Sequence, residues 1–316
     1  MTEKQCIIVA GPTAIGKTAE AIRLAKSYNT SIISADSRQC YKELNIGVAR
    51  PSENELKEVK HYFIANHSIT ENISAASFAK EARVYLDEIF QRSDKAIVCG
   101  GTGLYIKALV DGLDEIPAIP NEIREKVIAL HKEQGIDALR NELIKMDPIF
   151  PTHGDINNPQ RMMRALEVVL FSGRSIFEYH NKREKGGGKR EEVEDPDRSV
   201  WRQWTRDEGQ DETQNPKPKT QNISEITFTY KILDLPREEL YNRINSRVDR
   251  MIEDGLEEEV RSLIAHKDLP ALQTVGYKEF FEYFEGKYAR DEAIEKIKQH
   301  TRNYAKRQVT WFKRLS

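Results

Sequence analysis

Cysteine is scarce in this 316-residue chain: Cys6, Cys40 and Cys99 stand far apart, form no C-x-x-C pair and have no paired histidines. That excludes a disulfide framework and a zinc module and fits a reducing compartment, so a cytoplasmic protein is expected. Long apolar runs are missing too. None approaches the roughly 18 residues of a membrane span, and strand character begins by Cys6, leaving no room for a signal or transit peptide, so no membrane partner is expected. Net charge is small, −2, so any nucleic-acid partner must meet a local basic patch. The last 21 residues, from Lys296, supply one candidate, with seven Lys or Arg and no Asp or Glu.

What is present is length and alternation. A chain of this size buries a full core and fits one large domain with an insertion, or two domains. Residues 1–115 read as strand "IIVA", a helix to Tyr28, strand "TSIISADS", a polar loop through Pro51, a helix over Ala75 to Phe90 and strand "KAIVCGG". Such alternation predicts an α/β fold with a parallel sheet flanked by helices. From Asn121 to about Gly173 the apolar spacing turns helical in "NEIREKVIALHKEQ", "IDALRNELIKM" and "PQRMMRALEVVLF", with Asn158-Pro159 as cap and first-turn proline, so 116–184 reads as an α-helical insertion domain. Residues 185–223 mix glycines, prolines and charges with almost no aliphatics and read as a flexible insert, although Trp201 and Trp204 leave room for a docked piece. Strand character resumes at "ITFTYKILDL", and 224–316 returns to the core and ends in long helices.

The densest chemical signal is Gly11-Pro12-Thr13-Ala14-Ile15-Gly16-Lys17-Thr18, a G-x-x-x-x-G-K-[ST] phosphate loop between an apolar strand and a helical pattern. Backbone N–H groups there wrap an anion, Lys17 reaches outer phosphate oxygens, and the Thr18 hydroxyl suits a magnesium ion bridging phosphates. The motif specifies a polyphosphate without naming it. Asp36 ends the second strand, at the edge where parallel sheets hold ligands, and suits a general base or a metal ligand; its other reading is a turn or cap residue. The third strand ends in Gly100-Gly101-Thr102-Gly103 where many nucleotide hydrolases carry an acid for magnesium, which weakens the case for ATP hydrolysis. The turn offers N–H groups and the Thr102 hydroxyl to a second ligand, although a tight turn alone would also use those glycines.

The stretches "GPTAIGKT", "SADSRQCYKELNIGVARP", "CGGTGLYIKAL", "NNPQRMMRALEV", "TVGYKEF" and "RNYAKRQVTWF" resemble, in order and over nearly the whole chain, the successive motifs of the tRNA dimethylallyltransferases, the tRNA isopentenyltransferase family. The resemblance is to the bacterial type, because the C-terminal zinc finger of eukaryotic members has no counterpart. "KHYFIANHSI" and "THGDINNPQR" depart from the usual pattern, and 185–223 is longer than is typical. The resemblance implies transfer of a dimethylallyl group from dimethylallyl diphosphate to the exocyclic amine of the adenosine just 3′ of a tRNA anticodon. It makes the phosphate loop a diphosphate site with magnesium as cofactor, Asp36 the base, and Thr13, Lys17 and Thr102 its catalytic companions. It also implies an arginine clamp from "LYNRINSRVDRM", Arg247 or Arg243, on the diphosphate. Ser37, Arg38, Gln39 and Thr102 are implied to meet the target adenosine and its neighbours. Arg124, Gln160, Arg161, Met162, Met163, Arg164 and the run Gln273, Thr274, Val275, Gly276, Tyr277, Lys278 are implied to touch the anticodon stem-loop.

On residues alone Arg161 and Arg164 also fit a solvated helix face, and Tyr304, Trp311 and Phe312 on the basic C-terminal helix also fit its core-facing stripe. A monomer is expected. Two other functions share the phosphate loop: a small-molecule kinase, which would turn over ATP, and an RNA-binding regulator that switches without chemistry. Both leave the later motifs unexplained.

Overall fold

The computed structural model describes residues 3–114, 116–180, 190–193, 200–204 and 226–314. In chain order the elements are β1 (Lys4–Ala10), α1 (Lys17–Ser27), β2 (Ile32–Ser34), α2 (Glu53–Glu58), β3 (His61–Tyr62), α3 (Ala75–Ile89), β4 (Lys95–Gly100) and α4 (Gly103–Val110). Then come α5 (Asn121–Met146), α6 (Phe150–His153), α7 (Pro159–Ser172), α8 (Phe177–His180), β5 (Arg190–Val193), β6 (Val200–Trp204) and β7 (Ile226–Ile232). The chain ends in α9 (Arg237–Glu253), α10 (Leu256–Ser262), α11 (Tyr277–Phe284) and α12 (Arg290–Phe312). It divides into two units, Met1–Gly112 with Gly188–Ser316, and Leu113–Gly187.

The first unit is α/β. Its sheet has the order β3-β2-β4-β1-β7-β6-β5, and the five strands from β3 to β7 run parallel. Strand β1 is central and its last five residues are buried, the near-continuous apolar run that a parallel sheet covered on both faces demands. Because β1, β2 and β4 point the same way, their C-terminal ends bring the phosphate loop, Asp36 and the Gly100–Gly103 turn to one edge. The approach is close there. A Cβ on Gly100 would stand 2.2 Å from the Ala35 carbonyl oxygen, and one on Gly101 2.2 Å from Gln308 Nε2. Close packing therefore accounts for both glycines, and the Thr102 N–H donates to Ala35 O at 3.2 Å instead of facing a second ligand.

Within the 185–223 insert the structure departs from the composition reading. Strands β5 and β6 pair antiparallel, and β6 pairs antiparallel with β7, so a hairpin covers the outer edge of the parallel sheet. The "VWRQW" run has the valine and aromatic content of a strand, and the edge of β7 presents backbone groups that need partners. The rest of the insert lies outside the described residues.

The second unit is helical. Asn158 caps α7 by accepting the Arg161 N–H at 3.2 Å, with Pro159 in the first turn. The two helical patterns before it form the single element α5, broken by non-helical backbone at Gly135 (φ 78°). Val127, Leu139, Leu143, Phe150, Met162 and Leu166 build the unit's core. Among the described residues no helix is long and apolar enough to cross a membrane.

Candidate active site

The phosphate loop is shaped by three residues with positive φ, Gly11 (147°), Ala14 (64°) and Gly16 (101°). At Gly11 a side chain is also sterically barred, since a Cβ would come 2.7 Å from Leu233 O. Ile15, 6% exposed, is the loop's apolar anchor, packed with Leu240 and Ile244 of α9 and Ala305 of α12. Ile15 and Pro12 therefore offer the loop their backbone only: the Pro12 carbonyl takes a hydrogen bond from Lys17 Nζ at 2.7 Å. Burial pushes the Lys17 ammonium down to about 8, with the Arg247 charge adding to the depression. Thr18 opens on the same cavity, and its hydroxyl has no partner among the described residues.

Asp36 follows β2. Its Oδ1 accepts the N–H groups of Arg38 (2.9 Å) and Gln39 (3.3 Å), so the turn-capping role is real. Its Oδ2 has no hydrogen-bond partner among the described residues and is left for chemistry. Ser37 is held from behind: its N–H donates to Thr102 Oγ1 at 3.1 Å. Thr102 lines neither of the cavities described next but touches Tyr304, which lines both. Gln39 donates both amide hydrogens to backbone, to Val48 O (3.2 Å) and Ala49 O (3.0 Å), and its Oε1 accepts the Ser34 hydroxyl at 3.1 Å, so the side chain is held on both sides.

Of the two arginine candidates, Arg247 reaches the site. Its Nη1 donates to Thr13 Oγ1 at 3.3 Å, and burial lowers its pKa while the facing Asp36 carboxylate opposes the shift. Arg243, one turn earlier on α9, is paired with Glu239 at 2.7 Å on the exposed face, at the rim of the cavity.

Two cavities meet here. The larger, about 1110 Å³, is walled by the phosphate loop, Lys17, Thr18 and the α9 arginines. The smaller, about 550 Å³, is walled by Arg38, Gln273–Gly276, Lys278 and Arg307. Thr13, Asp36, Val48, Ala49, Arg247 and Tyr304 line both. The carboxylate thus sits between a chamber that holds the phosphate loop with Lys17 and one whose walls include Arg38, Lys278 and Arg307, with Arg247 on both.

Of the residues implied as RNA contacts, Tyr277 and Met162 keep their side chains off the surface. Tyr277 is fully buried, its hydroxyl donating to Glu259 Oε1 at 2.5 Å. Met162 is likewise fully buried, and Met163 packs against the same helical core. Both "TVGYKEF" and "PQRMMRAL" begin or pass through a helix, so one residue in each run must face inward. In the helical unit Gln160 and Arg161 are exposed, while Arg164 and Arg124 share the buried Glu167 carboxylate at 3.1 and 3.7 Å with their guanidinium groups still partly open.

Gln308 and Tyr304 of α12 carry weight that the reading by motif did not assign. Gln308 Oε1 accepts the Thr13 N–H at 2.8 Å and its Nε2 donates to Gly101 O at 2.9 Å, tying the phosphate loop to the β4 turn. Tyr304 lines both chambers, touches Thr102, and burial pushes its hydroxyl up to about 12. A glutamine on the inward stripe of a helix was the available signal. Of the other aromatics, Phe312 is core, and Trp311 packs where a Cβ on Gly103 would come within 2.0 Å of its ring.

The chain is similar to known proteins. The IPP transferase family model matches residues 39–315. The tRNA dimethylallyltransferase 2 of Azobacteroides pseudotrichonymphae is 41% identical over 311 residues, covering 98% of this chain and 89% of its own. The tRNA dimethylallyltransferase of Cytophaga hutchinsonii is 41% identical over 310 residues, covering 98% and 90%. Among solved structures, the full-length tRNA isopentenylpyrophosphate transferase of Bacillus halodurans is similar with a TM-score of 0.61 at 30% identity, over 98% of this chain and 87% of that one. A eukaryotic dimethylallyltransferase acting on tRNA reaches a TM-score of 0.70 at 25% identity, over 98% and 69%.

Proposed function

This chain belongs to the IPP transferase family, and from that premise we propose that it is a tRNA dimethylallyltransferase: it moves the dimethylallyl group of dimethylallyl diphosphate to the exocyclic amine of the adenosine 3′ of a tRNA anticodon. The observation that carries the reading is the Asp36 carboxylate, with one oxygen free, at the junction of the chamber of the phosphate loop, Lys17 and Arg247 and a second one with Arg38, Lys278 and Arg307 in its walls. The donor's diphosphate takes the first chamber and the adenosine the second.

In the transfer, the amine nitrogen bonds the allylic carbon as the carbon–oxygen bond to diphosphate breaks. Diphosphate leaves, and Asp36 takes the proton that the amine sheds. An amine conjugated to adenine is a weak nucleophile, so that proton acceptor matters. Negative charge grows on the leaving group, and the loop N–H groups, Lys17 and Arg247 stand where it grows. Thr13, bonded to Arg247, joins loop and clamp. The adenosine must leave the anticodon stack to reach Asp36. Ser37 and Arg38 line the place where it would arrive, and Arg307 and Lys278 suit the flanking phosphates.

Magnesium would be held through the Thr18 hydroxyl, which opens on the phosphate-loop cavity without a partner among the described residues, and it would supply positive charge against the leaving diphosphate. A monomer is part of the proposal, and a tRNA substrate supports work in the cytoplasm.

The test supplies purified protein with magnesium, labelled dimethylallyl diphosphate and a tRNA bearing adenosine 3′ of its anticodon. Label is expected on that base and no ATP should be consumed. ATP turnover with tRNA unmodified across a panel would replace this reading with a kinase.

A further inference from the structure

One carboxylate outside the reacting groups is fully occupied. Glu259 of α10 accepts four hydrogen bonds on two oxygens: Oε2 takes the N–H groups of Asn45 (3.2 Å) and Ile46 (2.8 Å), and Oε1 takes the Gly47 N–H (3.0 Å) and the Tyr277 hydroxyl (2.5 Å). Such a set uses all the acceptor sites of a carboxylate. Around it the contact is tight. Gly47 lies against the Tyr277 ring, where a Cβ would come 2.5 Å from Cε2, so the loop and the start of α11 touch directly.

The loop that Glu259 grips is demanding. Ala49 holds a left-handed backbone (φ 46°), which an alanine adopts only when its surroundings impose it. Arg50 grips the other side, its Nη2 donating to Tyr41 O (2.8 Å), Lys42 O (3.0 Å) and Leu44 O. Backbone donors of the loop thus end on Glu259 and backbone acceptors on Arg50. The carbonyls of Val48 and Ala49, next along the loop, hold the Gln39 side chain beside Asp36. Gly47–Ala49 and Gln273–Gly276 are walls of the same 550 Å³ cavity.

We propose that Glu259 and Tyr277 form a clasp that sets the width of the acceptor chamber, a pair of positioning residues for the RNA substrate. The clasp touches neither substrate. Asn45, Ile46, Val48, Ala49 and the Gln39 side chain also line the donor chamber, but its cations, Lys17 and Arg247, hang from α1 and α9. Gly47, the residue between Glu259 and the Tyr277 ring, lines the acceptor chamber alone, so opening the clasp should weaken use of tRNA far more than use of the diphosphate. This inference rests on the proposed transferase function.

The test uses the full-length protein with Tyr277→Phe, which keeps the ring against Gly47 and removes one hydrogen bond, and Glu259→Gln, which turns an NH2 group toward N–H donors. Tyr277→Phe is expected to lower kcat/KM for tRNA about tenfold, the usual loss for a hydrogen bond to a charged group, with the KM for dimethylallyl diphosphate within about twofold. Glu259→Gln should lose more, and the double variant no more than Glu259→Gln alone, because the two act as one unit. Amide hydrogen exchange at Asn45–Gly47 should accelerate in Tyr277→Phe, a readout needing no substrate. Unchanged exchange, equal losses toward both substrates, or additive effects would overturn the clasp. A wild-type protein that leaves tRNA unmodified overturns the transferase reading itself, and the clasp's role in RNA use falls with it, whatever the exchange rates.

Discussion

Lys17 joins two effects of opposite sign. Its depressed pKa, about 8 instead of about 10.5, follows first from burial and then from Arg247. The free enzyme therefore carries a protonated Lys17 below pH 8, and kcat/KM for dimethylallyl diphosphate should fall as pH rises through about 8. Bound diphosphate favours the charged amine, so kcat should hold to higher pH than kcat/KM. Stability should move the other way: between about 8 and about 10.5 the unfolded chain binds more protons at this position, so the Lys17 contribution to stability rises through that window. Paired pH profiles of activity and of denaturant unfolding check both signs, with Lys17→Ala erasing the activity limb along with most of the rate. Asp36→Asn is expected to keep the turn, since an amide oxygen still accepts the N–H groups of residues 38 and 39, and to abolish transfer while tRNA binding stays within about twofold. Single-turnover transfer beside a binding titration measures the two; near-normal turnover would remove Asp36 as the base.

Among the elements, α12 acts as a brace. Gln308, 6% exposed, bonds the phosphate loop and the β4 turn from the helix's inward face, while Phe312 and Ala305 anchor that face by burial. Gln308→Leu keeps most of the volume and leaves the Thr13 N–H and the Gly101 carbonyl without their partner. A cost of about 1–3 kcal/mol in stability is expected, with a several-fold higher KM for the diphosphate because Thr13 is no longer held. Unfolding curves and donor kinetics read the two parts. An unchanged donor KM would reduce Gln308 to a packing residue.

At the scale of the whole molecule, no residue assigned to the chemistry lies in 185–223, yet β5 and β6 cover the edge of β7. Replacing the segment with a short Gly/Ser linker should leave kcat within about threefold and make the protein less stable and more prone to aggregate, because a bare strand edge is a template for pairing. Thermal unfolding, light scattering and transfer assays on one preparation separate these outcomes. A kcat loss beyond tenfold in soluble protein would show that the insert serves the reaction. The same hairpin shows how far composition reads: its charges and glycines suggested a chain without structure, while the "VWRQW" run pairs with a neighbour that lies well along the sequence.

The sequence by itself determined whatever contiguous backbone encodes. The phosphate loop, the strand before it and the helix after it are specified within Ile7–Tyr28, because glycine conformations, a helix start and apolar spacing are local properties. Strand and helix alternation determined a parallel α/β sheet, and six ordered motifs determined the family. Only the tertiary structure decided which side chains meet. Thr13 finds Arg247 across 234 positions and Gln308 across 295, and neither pairing is written in the residues near either end. Periodicity marks the stripes of α7, α9 and α11, but which member of a stripe faces a partner depends on how that helix docks. Docking turned Met162 and Tyr277 inward and set Arg247 against Thr13 while Arg243 pairs with Glu239. The strand order is of the same kind, since it is set by the summed burial of whole faces, a quantity that no single segment contains.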